Sequence, residues 1–150
     1  MIVSALMAFL HFAAVFGIVG ALVYQRITFN RNPTLAEAKH IQACDRMYGM
    51  SATLLLIVGA LRVVYFEKGW AFYGHSPFFH AKMALFVIVG LLSIYPTIKF
   101  AGWRKATSQG QAPTMTDAEY ATISRVLKLE MMGLFAIVLC ASLMAKGVGM

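Results

Sequence analysis

The chain has 150 residues, of which 60% are hydrophobic and 13% charged, and a mean hydropathy of +0.72. A soluble domain of this size has no way to bury so much apolar surface, so a bilayer is the expected solvent. The formal charge of +7 does not mark a nucleic-acid binder, because no basic segment is interleaved with stacking aromatics. The two cysteines, Cys44 and Cys140, form no CxxC motif, which argues against a zinc site or a disulfide.

In chain order, the first element is the uncharged stretch Ile2 to Tyr24. It is too long for a signal-peptide core and has neither a basic n-region nor an A-x-A site, so it is expected to remain as a spanning helix. His11 lies within it, on a face continued by Ala14, Ile18 and Ala21, with Gly17 and Gly20 alongside. Next, Pro33 precedes Thr34-Leu-Ala-Glu37, a capping box in which Thr and Glu share the free amides of a helix start. The second helix should therefore begin in water, run through AEAKHIQACDR, and enter the membrane over Met47 to Phe66, interrupted only by Arg62.

The following loop carries Lys68 and His75, and its Trp70, Phe72 and Tyr73 read as an interfacial aromatic belt. Helix 3 opens with SPFFHAKMALF and runs from Pro77 to Ile98, with His80 and Lys82 near its start. After a short polar loop, TSQGQA, Pro113 and a second capping box, Thr116-Asp-Ala-Glu119, start the fourth helix. This helix passes through DAEYATISRVLKLE into the apolar stretch Met131 to Ala145. The expected fold is all-α: one integral membrane four-helix bundle over residues 1–150.

Nine of the 13 Lys and Arg residues lie between helices 1 and 2 (Arg26, Arg31, Lys39, Arg46) or between helices 3 and 4 (Lys99, Arg104, Lys105, Arg125, Lys128). The positive-inside rule makes that side cytoplasmic and places both termini and the 67–76 loop in the periplasm of a bacterial inner membrane. Asp45, Arg46, Lys128 and Glu130 fall at the inner boundary, where pairing between helices 2 and 4 is expected.

The two hairpins hint at duplication. FGIVGALVY in helix 1 can be laid over FVIVGLLSIY in helix 3 by matching Gly20 to Gly90, as in a parallel repeat about the membrane normal. His11 and His80 then differ in depth by only about 1.5 Å, on helices expected to be neighbours. Two imidazoles at matched depth can supply both axial nitrogens of a haem in a bundle core. Arg62 and Lys82 would meet its propionates, or else snorkel to lipid headgroups. His75 is the alternative to His80 as a ligand, while His40 reads as a surface residue. The ten methionines raise copper as an alternative, since thioethers suit Cu(I). Most stand singly in apolar helices, however, and no Met-x-x-Met lies on an outer loop.

The stretches RVVYFEKGWAFY, SPFFHAKMALF and LLSIYPTIKFAGWR resemble a bacterial family of small four-helix membrane proteins across essentially the whole chain. A His in the first helix (His11), Asp45-Arg46-Met47 entering the second, and His80-x-Lys82 opening the third are more distantly similar to HemJ-type protoporphyrinogen oxidases and CopD-type copper-resistance membrane proteins. The HemJ likeness implies a b-type haem in the bundle and oxidation of a porphyrinogen. The Trp-Gly and Pro-Arg pattern of HemJ proteins at the end of helix 1 is replaced here by GALVYQRITFNRNP. The expected function is haem-b binding with a redox role, the alternatives being copper handling or a non-catalytic membrane subunit. The bilayer is the first partner, and a quinone, a porphyrin or a redox protein is the candidate for the second, with the protein alone or oligomeric.

Overall fold

The computed structural model describes residues 2–66 and 74–148. Lys68, Trp70, Phe72 and Tyr73, including the expected aromatic belt, lie outside the described residues.

The helices are α1 (Ile2–Thr28), α2 (Leu35–Leu61), α3 (Pro77–Gly102), the short α4 (Arg104–Ser108) and α5 (Asp117–Ala145), and a wide π-helical turn, Arg62–Phe66, extends α2. Among the described residues no strand occurs, and four helices are long and apolar enough to cross a membrane. The fold is an all-α membrane helical bundle.

Both capping boxes form. Thr34 Oγ1 accepts from the Glu37 amide at 3.2 Å while the Thr34 amide donates to Glu37 Oε2 at 2.8 Å. Thr116 and Glu119 repeat the arrangement at 3.2 and 2.9 Å. These boxes satisfy amides that would otherwise lack partners at the helix starts. α3 begins with Pro77 at its first turn, where a missing N–H costs nothing.

α1 lies along α2 and α3 along α5, while the two hairpins meet where α1 touches α5 and α2 touches α3. Two small residues set how closely each hairpin packs. A Cβ at Gly17 would collide with the Ser51 hydroxyl, and one at Gly133 would collide with Val89 Cγ2. Small residues allow this backbone approach between membrane helices. Ser51 and Gly133 stand equally far along the chain from Thr34 and Thr116, as do the buried Ile41 and Ile123.

Burial places the duplicated register one residue away from the glycine match. Ile18, Gln25 and Phe29 are buried, and their buried counterparts at one common spacing are Val89, Pro96 and Phe100. Gly20 and Gly90 are both exposed, with open space where a Cβ would stand. In the register of buried faces the counterpart of His11 is Lys82, and that of His80 is Phe9, an outward residue 65% exposed. α1 and α3 occupy diagonal corners of the bundle, and so are not the neighbours expected from the sequence.

The continuous core, including Leu22, Phe29, Ile41, Phe100, Trp103, Ile123 and Leu127, occupies the end of the bundle where the Lys and Arg residues concentrate. Phe29 stacks between Trp103 and Tyr120 there. Towards the opposite end the buried apolar side chains among the described residues include Ala14, Val58 and Phe79.

Candidate functional site

His11 is half-buried on α1 and faces α2 at a glycine. A Cβ at Gly59 would stand 3.6 Å from His11 Cε1 and 3.8 Å from its Nδ1. The glycine therefore leaves the imidazole room at ordinary van der Waals distance. The Phe12 ring meets it edge-on at 6.3 Å. One turn further along α2 stands Arg62, half-buried, its amide donating to the carbonyls of Gly59 and Val58. Arg62 also opens the π-helical turn, a distortion frequent at functional sites. His11, Gly59 and Arg62 thus form one group on the first hairpin.

The other expected residues form a second group on α3. His80 is exposed, and its Nε2 donates to the Gly74 carbonyl at 2.9 Å. That bond places the proton on Nε2 in a neutral ring, because a carbonyl only accepts. The buried Phe79 meets the His80 ring edge-on at 5.9 Å, and Lys82 Nζ lies 5.5 Å from the same Phe79 ring. His75 is exposed in the turn before α3. Among the described residues no three His, Cys, Asp or Glu side chains converge as a metal set. His40 is a surface residue, with Nδ1 3.1 Å from the Tyr24 hydroxyl.

Across the middle of the bundle, sequence reasoning missed a polar layer. Asp45 accepts from Thr97 Oγ1 at 2.9 Å and from Gln25 Nε2 at 3.5 Å. Glu130 is only 2% exposed, and its Oε1 has no hydrogen-bond partner among the described residues. The expected ion pairs of Asp45 and Glu130 with Arg46 and Lys128 do not occur among the described residues. Asp45 instead takes hydroxyl and amide donors, and Glu130 turns inward. Above this layer Tyr48, Ser93, Gly90, Val89, Ile18 and Ala52 line a cavity of about 190 Å³ between the hairpins. The sequence signal available for the layer was the presence of Gln25, Tyr48 and Glu130 on otherwise apolar faces.

No curated protein and no solved structure matches the chain. A family model described as "Predicted membrane protein (DUF2214)" matches residues 3–149, and with nearly the whole chain covered, the protein belongs to that family of membrane proteins.

Proposed function

We propose that this membrane protein binds a b-type haem and has a redox role, with His11 as its principal axial ligand. The packing of His11 supports this: a half-buried imidazole within a spanning helix, set against the backbone of α2 at Gly59. Ionisable residues at membrane depth are costly and by default mark function. Arg62, one turn from Gly59, provides a guanidinium suited to a propionate carboxylate, which it can meet with two parallel hydrogen bonds. His80 is the second ligand in this reading. Its Nε2, now on the Gly74 carbonyl, would be the atom to hold the metal, at an exposed position where water could take over that carbonyl. Lys82, beside Phe79, is the second propionate partner.

When bound, haem supplies a one-electron couple. The protein's own residues hold it, orient it and set its charge environment. A quinone, a porphyrin or a redox protein would exchange the electron. In a bacterial inner membrane the Lys and Arg distribution favours the basic end as cytoplasmic and both termini as periplasmic.

The test is the absorption spectrum of detergent-purified protein. A Soret band with sharp α and β bands on reduction is the expected result. Copper by metal analysis without those bands would replace this reading with copper handling, and neither would leave a non-catalytic membrane subunit.

A further inference from the structure

A recess of about 560 Å³ opens at the basic end and is lined by Lys39, Gln42, Arg46, Arg104, Lys105 and Thr107. Lys39, Gln42 and Arg46 form one stripe of α2, spaced as residues on a single helical face are. Arg104 and Lys105 come from α4, far along the chain. Gln42 fixes the two segments together: it donates to the Phe100 carbonyl at 2.7 Å and accepts from Thr107 Oγ1 at 3.2 Å. Both Gln42 and Thr107 are buried, so the floor of the recess is held while its four cations stand on the rim.

No acidic residue lines the recess. The nearby carboxylates are engaged elsewhere: Glu37 and Glu119 in the capping boxes, Asp45 with Thr97 and Gln25, and Asp117 with Arg31. Lys99 takes Glu119 at 2.6 Å. Among the described residues none of the four rim cations forms an ion pair. Topology alone requires cations on this side. It does not require four of them, from two separate helices, around one recess.

Beyond the recess, α2 presents an apolar stripe on the face that carries Lys39 and Arg46. Arg46 directly precedes Met47, where the apolar run of α2 begins, and Lys39, Arg46, Met50 and Ile57 follow one another along the same face of α2. Met50 is 74% and Ile57 53% exposed. Cations at headgroup depth above an outward apolar stripe match a molecule with a phosphate at one end and an acyl chain at the other. We propose that the recess binds the phosphate-bearing headgroup of an anionic phospholipid from the leaflet at the basic end, with an acyl chain lying along Met50 and Ile57.

Thermal unfolding of the full-length protein in detergent tests this, with phosphatidylglycerol, phosphatidylcholine or inorganic phosphate added. The wild type should be stabilised by phosphatidylglycerol well beyond phosphatidylcholine, and less so at high salt. Each of Arg46→Gln, Arg104→Gln and Lys105→Gln should weaken phosphatidylglycerol binding about fivefold, and the triple variant should abolish the preference. All three side chains are exposed, so the core is untouched. Arg125→Gln with Lys128→Gln, which removes charge at the same end outside the recess, should keep the preference. Equal stabilisation by the two lipids would overturn the proposal, as would a triple variant that still discriminates or a control pair that loses discrimination. Stabilisation by inorganic phosphate equal to that by phosphatidylglycerol would assign the recess to a free ion and overturn the lipid.

Discussion

Tyr48 and Glu130 stand equally far along the chain from the caps of their helices, Thr34 and Thr116, and both are buried at the middle of the bundle. Equivalent positions of the two hairpins thus carry a phenol and a carboxyl. A buried polar atom without a hydrogen bond costs about 1–3 kcal/mol, and Glu130 Oε1 is such an atom among the described residues. Glu130→Met, similar in volume and apolar, should therefore raise stability by an amount of that order. Reversible unfolding in mixed micelles measures it. A marked loss of stability would mean that the carboxyl satisfies a partner essential to the fold.

The contact glycines should separate sharply from the open ones. Gly133→Val forces a side chain into Val89 and should cost about 1–3 kcal/mol, as overpacking does. At Gly20 a Cβ meets open space, so Gly20→Ala should be neutral or stabilise by up to about 1 kcal/mol through helix propensity. Equal losses at the two positions would contradict the close packing of α3 on α5.

The four spanning helices, the starts of two of them at the capping boxes and the all-α membrane fold were legible because each is a local property of the chain. Thr34 and Glu37, or Thr116 and Glu119, need only their own turn to form a box. The register between hairpins was legible only in part. Gly20 and Gly90 match as residues, but that match sets the buried Ile18 against the exposed Ile88, and the buried Ile18–Val89 and Phe29–Phe100 correspondences fall one residue away. The recess was unreadable for another reason. Lys39 and Arg104 meet around it through the bonds of Gln42 to Phe100 and Thr107, which span 58 and 65 residues.

Reporter fusions test the orientation. An active periplasmic reporter and a silent cytoplasmic one at the C-terminus are expected, because nine of the 13 Lys and Arg residues flank the opposite ends of the helices. The reverse pattern would put the recess in the outer leaflet and the His11 group on the cytoplasmic side.

Arg62→Ala and Lys82→Ala should weaken haem retention and shift its potential while leaving axial ligation intact. A lost charge-assisted hydrogen bond costs about 1.5–3 kcal/mol, and neither side chain is assigned to the iron. Retention and potential unchanged in both variants would assign these cations to the lipid headgroups.

The ligands themselves give the sharpest test. With His11 and His80 on one iron, the protein is six-coordinate and low-spin, and either single alanine variant opens an axial position. His11→Ala should lose haem outright, since it removes the imidazole set against Gly59 within the span. His80→Ala should retain some haem as a high-spin form that binds carbon monoxide when reduced, because the His80 ring lies on an exposed face and is otherwise held by Gly74. Gly59→Leu supplies an independent check: its side chain would fill the space beside the His11 ring and displace it, so the spectrum should change while the histidine remains. An unaltered low-spin spectrum in His80→Ala beside a lost one in His75→Ala would move the second ligand to the turn before α3. Unaltered spectra in both His11→Ala and His80→Ala would remove the shared haem altogether.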